Sequence, residues 1–415
     1  MNTNPDGVAA GRCPFQSGSP ARFPMKRARP LDPPPAYGEM RETAPISRVE
    51  LWDGREAWFV TGYDLVRQLL SDPRVSADST RPGYPSQNAA MKVVTERYRT
   101  FVVMDPPAHT NQRRLLTSEF TVRKIESMRP TIDALASHLF DQMMAKSCPV
   151  DFVASVALPL PSLVICNMLG VPYGDHDFFQ QKSALMSSSQ STAQEASAAA
   201  DALCDGYIVD LVRRKDLVPT DDLLSRLVVK YLRTGDATEH DLVAWARLIL
   251  VAGHITSANT MALGLLALME NLEQFAALIA EPALLPNAVE EILRYVDVAH
   301  NGRRRTALDD IELAGVTIAA GDSIILHNST ANRDGRIFED PDSFNIRREH
   351  AQHHVAFGYG VHQCLGQHLA RAEIRSVLEL VVSRIPGVKL AVPLETLDFA
   401  HHQNVYGVNS LPISW

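Results

Sequence analysis

Apolar positions along the chain recur mostly at the three-to-four spacing of one helix face. This period predicts helices over Tyr63–Leu70, Pro107–Glu119, Ile125–Met144, Leu160–Leu169, Gln194–Arg214, Leu223–Leu232, Glu239–Met269, Leu272–Leu278, Leu285–Arg294 and Leu365–Val382. Strict alternation is rarer. It marks residues 46–61 around Asp53-Gly54, a dipeptide that favours the positive φ angles of a tight hairpin. From Asp309 short strand-like runs appear, Ile311–Val316 and Ser323–His327, followed by an irregular stretch from Ala331 to His354 and a β-like tail through Gly407 to Pro412. The expected fold class is mainly α with small β-sheets.

Of the 415 residues, 46% are hydrophobic and 21% charged, which permits a large buried core. The segment Leu248–Met269 is apolar enough to suggest a membrane span, but it carries His254, Thr256, Asn259 and Thr260 and has no partner span, so a central core helix is expected. No linker or repeat divides the chain. The expected organisation is a Pro-rich lead over residues 1–35 and one domain over residues 36–415. The lead lacks the apolar run of a signal peptide or anchor, which implies a cytoplasmic protein. A net charge of −8 leaves no global basic field for nucleic acid or an anionic membrane.

The five cysteines, Cys13, Cys148, Cys166, Cys204 and Cys364, are odd in number and form no CxxC pair, against a disulfide framework or a zinc knuckle. Only Cys364 sits in a motif. Phe357-Gly358-Tyr359-Gly360-Val361-His362-Gln363-Cys364-Leu365-Gly366 places a glycine-rich loop before a helix, with the cysteine at the junction. Backbone without Cβ can approach a flat ligand, and free N–H groups at a helix start favour thiolate over thiol. A thiolate bound to haem iron pushes electron density that favours O–O cleavage.

Three other patterns carry chemistry. In Ala252-Gly253-His254-Ile255-Thr256-Ser257 the Thr256 hydroxyl can turn to the Ala252 carbonyl four residues back and open the helix locally. Glu291 and Arg294 stand three apart on one helix face and can form a forked ion pair. His109 and Arg113, four apart, also project from one face.

Together these segments resemble the cytochromes P-450. Phe357, Gly358, Gly360, His362, Cys364 and Gly366 match the family's cysteine loop, and the likeness runs nearly end to end. It is strongest toward soluble actinobacterial P-450s that hydroxylate vitamin D, xenobiotics and macrolide or polyene polyketides. The resemblance implies a triangular helical prism around haem b, with Cys364 as the metal ligand. It assigns His109, Arg113, Arg305 and His362 to the haem propionates, although the run Arg303-Arg304-Arg305 leaves that arginine uncertain by one position. It assigns Ala252, Gly253 and Thr256 to oxygen activation, and Glu291, Arg294 and Arg348 to a structural network.

One departure stands out: the family usually has an acid immediately before the threonine, and this chain has Ile255. The implied reaction is monooxygenation of a small apolar organic substrate by O2. Electrons come from a ferredoxin and its ferredoxin reductase, so NAD(P)H acts only indirectly, and the enzyme is expected to be a monomer. A basic patch at Arg113, Arg114, Arg123 and Lys124 is the expected docking face. Arg74, Arg81, Val251, Val296 and Val405 are the expected substrate contacts. The alternatives are a P-450-type nitric oxide reductase and a haem-binding sensor.

Overall fold

The computed structural model describes residues 20–296 and 298–415; Cys13 and most of the expected lead lie outside them. Helices dominate, and the longest, Glu239–Glu270, runs through the principal core. Its start is set by a capping box: Thr238 accepts from the Asp241 N–H while Asp241 accepts from the Thr238 N–H. The helix is apolar all round, with Leu242, Trp245, Leu250, Met261 and Leu266 buried, as an element enclosed by others must be. Length and composition alone would let it cross a membrane, but most of it is covered by protein. Pro159–Leu169 packs along it, and Gln367–Arg384 lies against it, Val122–Met144 and Leu285–Tyr295.

A six-stranded sheet flanks this bundle in the order Ala21–Arg22, Ile46–Glu50, Glu56–Val60, Ser323–Leu326, Arg303–Ala307, Val75–Ser76. The predicted hairpin forms its second and third strands, antiparallel from Ile46 opposite Val60 to Glu50 opposite Glu56. The first strand corrects the expected lead. Ala21 and Arg22 pair with Val49 and Glu50, and Phe23 packs on Tyr37 and Phe59, so the fold begins well before residue 36.

Further differences follow from tertiary pairing. Arg303–Ala307 is a central strand because two neighbours pair with it, which overrides the unpromising look of three consecutive arginines. The expected run Ile311–Val316 is two strands, Ile311–Leu313 and Val316–Ile318, joined by a tight turn. Three helices of nine residues or more were not anticipated, Pro35–Thr43, Ala89–Arg97 and His176–Ser187. Each buries only two or three residues, too few to leave a clear periodic signature. The expected helix Gln194–Arg214 is continuous from Ala193 to Leu217, its middle over Asp201–Ile208 wound as a wider π-helix.

Candidate functional site

Cys364 lies in a loop tied back on itself. The Gly358 N–H donates to the Val355 carbonyl at 2.8 Å, the Gln363 N–H to Gly360 at 3.0 Å, and the Cys364 N–H to Phe357 at 2.8 Å. Gly360 has φ +70°, and a Cβ there would stand 2.9 Å from the Leu70 carbonyl oxygen, so both conformation and space exclude a side chain. The following helix starts at Gln367, with Gly366 as its cap, rather than at Leu365. Burial pushes the Cys364 thiol up, against the pull of Arg303, the Gly366 N–H, Arg113 and Arg371. The expected donors are therefore present, but removal from water outweighs them. Coordination to a metal deprotonates such a sulfur outright.

The expected propionate partners gather from three elements. His109 and Arg113 stand on the helix Ala108–Thr117, and the His109 ring centroid is 4.3 Å from that of His362. Arg113 Nη2 donates to the Gln363 carbonyl at 2.7 Å, two atoms' breadth from the cysteine backbone. Alternation along the strand separates the three arginines. Arg304 donates to the Pro85 carbonyl at 3.1 Å and lies over Phe23, whereas Arg303 and Arg305 both act on His362.

Burial pushes His362 down to about 3, helped by Arg305, His109, Arg113 and Arg303. His109 is lowered by burial and then by Arg113. Neither ring nitrogen of His109, nor Nδ1 of His362, has a hydrogen-bond partner, although all three are buried. The Val361 backbone lies near His109 without completing an aligned bond. The nearby Asp105 carboxylate is already engaged by the Ser76 hydroxyl and the Ala77 N–H. Unpaired buried donors cost about 1–3 kcal/mol each. A cationic cluster with unused donors beside a cysteine sulfur fits a haem whose iron meets Cys364 and whose two propionates meet these side chains.

On the long helix, Thr256 Oγ1 donates to the Ala252 carbonyl at 2.7 Å. Val251, Ala252, Ile255 and Thr256 keep some accessibility on a helix that is otherwise largely buried. The helix stays continuous from Glu239 to Glu270; the opening anticipated from the sequence is limited to the hydroxyl's claim on that carbonyl. Gly253 turns elsewhere. A Cβ on it would stand 2.7 Å from Ile165 Cδ1, so its small size lets the two helices pack closely. His254 is buried with Nδ1 against the Leu250 carbonyl.

Glu291, Arg294 and Arg348 come together and are all buried. Arg294 Nε and Nη2 donate to the two Glu291 oxygens at 2.7 and 2.8 Å, and Arg348 Nε donates to the same carboxylate at 3.1 and 3.2 Å. Both guanidinium groups then bind the Ser343 carbonyl, which ties the helix to the irregular stretch before the cysteine loop.

The model of the family described as cytochrome P450 matches residues 176–385. Cytochrome P450-SU2 of Streptomyces griseolus is 46% identical over 386 residues, covering 93% of this chain and 94% of the relative. The chain belongs to the cytochrome P450 family. Vitamin D3 dihydroxylase of the same organism is 42% identical over 97% of this chain and 98% of its own length. Among solved structures, the mycinamicin VIII C21 methyl hydroxylase of Micromonospora griseorubida, bound to mycinamicin VIII, has a TM-score of 0.90 at 40% identity, covering 95% of this chain and 100% of that one. The protein is a P450 monooxygenase.

Within this P450, the expected substrate contacts divide. Val251 and Val405 are partly accessible, and Val296 is buried in the principal core. Arg74 clasps Asp72 with its guanidinium at 2.7 and 3.0 Å and borders an outer groove with Arg67 and Tyr359. Arg81 is exposed in a turn held by Arg81 N–H to the Asp78 carbonyl. Sequence reasoning missed a second triad under the loop, in which Arg371 donates twice to Glu290, Glu290 meets His354 at 3.1 Å, and the Arg371 guanidinium covers Phe357. Arg303 shares with Arg305 the strand face that meets His362, an arrangement that exists only once the strand has paired with its neighbours.

Proposed function

We propose that this P450 hydroxylates or epoxidises an apolar small molecule of secondary metabolism, such as a macrolide or polyketide, or a steroid-like or xenobiotic compound, using O2 and ferredoxin-supplied electrons. The observation that carries the reading is the set of unpaired buried donors on His109 and His362, with Arg113 and Arg305, beside Cys364. Relatives named for vitamin D3 dihydroxylation, and a similar structure bound to mycinamicin VIII, support the substrate class. Haem, when bound, supplies the oxygen activation that a thiolate ligand favours.

The chain's own residues then divide the labour. Cys364 ligates the iron through its sulfur. His109, Arg113, Arg305 and His362 hold the propionates and fix the ring's orientation. Thr256 keeps its hydroxyl on the accessible stretch of the long helix, where it can orient a water for proton delivery, and Val251 and Ala252 present apolar surface to the substrate. The test is a binding-spectrum screen of macrolides, steroids and small aromatics on the haem-loaded protein, followed by turnover with ferredoxin, its reductase and O2. The expected result is a spin-state shift with at least one class and an oxygenated product from it. Direct NADH oxidation with nitric oxide, and no oxygenated product, would overturn it in favour of the reductase reading.

A further inference from the structure

Arg247 stands on the long helix Glu239–Glu270, one turn before Val251 and two before Ile255, a spacing that sets the three on one face. All three keep some accessible surface on a helix that is otherwise largely buried. The Arg247 guanidinium makes one hydrogen bond among the described residues, from Nη2 to the Tyr98 carbonyl at 3.0 Å. Its Nε is buried and has no partner. Tyr98 closes the helix Ala89–Arg97, and the other neighbour of the guanidinium is Cys204, on the π-helix Asp201–Ile208. Burial pushes the Cys204 thiol up to about 12, so it is neutral and offers no countercharge. Two acids on the same π-helix are already taken: Asp201 and Asp205 both hold Arg97, and Asp205 also accepts from the Tyr98 hydroxyl at 2.7 Å.

Other buried arginines are satisfied. Arg294 and Arg348 share Glu291, Arg333 meets Asp342, and Arg304 covers the Phe23 ring. Among the described residues Arg247 meets neither an acid nor an aromatic face, and burial lowers its pKa accordingly. A cation buried in this state is costly, and Leu or Met would pack there without that cost. We propose that Arg247 is an anchor for a carboxylate, and that the substrate of this P450 is an apolar molecule carrying one acidic group. The proposal rests on the monooxygenase reading above and narrows its substrate class. The open Nε edge is the edge by which Arg294 holds Glu291 and Arg74 holds Asp72, and a planar guanidinium matches a carboxylate better than a hydroxyl. Arg247 is already removed from water by the fold, so pairing it adds little further desolvation of the cation. Thr256 lies nine residues further along the helix, about 13 Å at a rise of about 1.5 Å per residue. A substrate held at Arg247 therefore offers for oxidation a carbon remote from its acid. There a C–H bond breaks and a C–O bond forms; O2 supplies the oxygen atom, ferredoxin two electrons and solvent two protons, and the second oxygen leaves as water.

The test begins with the wild-type haem protein and three apolar acids, dodecanoic acid, abietic acid and 4-heptylbenzoic acid, each paired with its methyl ester. Spectral titration at neutral pH, where the acids are ionised, should show at least one acid binding roughly 10- to 100-fold tighter than its ester, the scale of a charge-assisted bond. Arg247→Met should bring that acid down to the affinity of its ester, while the carbon monoxide spectrum and Tm stay as in wild type. Arg247→Lys keeps the charge without the fork and should retain part of the preference. With ferredoxin, reductase and O2, oxygen should enter the bound acid at a carbon far from the carboxyl. Equal affinity for acid and ester in all three pairs, or a preference that survives Arg247→Met, overturns the anchor while leaving the monooxygenase in place. Oxidation next to the carboxyl overturns it as well. A preference lost only together with haem or with a lowered Tm assigns Arg247 to the fold and overturns the anchor too. An intact acid preference in a protein that oxygenates no bound ligand defeats the monooxygenase reading, and with it the claim that the anchored acid is a substrate.

Discussion

Glu290 illustrates how neighbours set the chemistry of a single side chain. Burial would raise its pKa, but the hydrogen bonds from His354 and Arg371 outweigh burial and lower it to about 2. Burial keeps His354 itself lowered, so the charge in this pair comes from Arg371 and His354 contributes chiefly an N–H donor. A carboxylate held lower when folded contributes stability that is present above its ordinary value, near 4.5, and lost as pH falls from there toward 2. Glu290→Gln should lower stability at pH 7 by about 2–3 kcal/mol and flatten the acid limb of Tm against pH over that window. A parallel acid limb in the two proteins would contradict this. At the same scale, Cys364→His should abolish the thiolate-type Soret band of the reduced carbon monoxide complex, the spectrum that checks the ligand directly. Single alanine variants of His109, Arg113 and Arg305 should lose haem faster, measured by transfer to a haem acceptor. The cysteine was recognisable in the sequence because its loop is local. Glu373, buried without a hydrogen-bond partner, was not, because an acid in an amphipathic helix reads as surface until a neighbouring helix covers it.

Elements depend on how such residues join them. The helix Leu285–Tyr295 and the irregular stretch through Ser343 are clamped by the two arginines on Glu291. Removing Arg348 leaves Glu291 paired with Arg294 but strips buried donors from that carboxylate and from the Glu339 carbonyl, so Arg348→Met should cost about 1.5–3 kcal/mol, read as a shift in the urea midpoint. A change within about 0.5 kcal/mol would show that the remaining Arg294 pair suffices. Helices with a wide apolar face, such as Val122–Met144 and Glu239–Glu270, were readable from periodicity because burial and period coincide. Arg303–Ala307 was not, since strand formation there depends on two remote partners rather than on its own side chains.

At the scale of the whole molecule, the docking of an electron donor is a surface property. Arg114 and Arg123 are exposed on consecutive helices, while Arg113 reaches inward to the Gln363 carbonyl. Turnover should require added ferredoxin and reductase and should fall as ionic strength rises, because exposed charges are screened beyond about 8–10 Å at physiological salt. Oxidation of substrate by NADPH and this protein alone, or a salt-independent rate, would contradict the expected partner.

Sequence alone determined the mainly helical class, the cysteine loop and the order of the motifs, because each is encoded by residues close together in the chain. It also determined what is missing at Ile255. Tertiary structure decided which of three adjacent arginines turn toward the site, what Gly253 packs against, and which acid is buried bare. Those outcomes depend on groups far apart in the chain, such as Ile165 against Gly253 and Ser257 against Glu373. Local pattern carries no record of them, since burial and electrostatic environment exist only once the helices have packed.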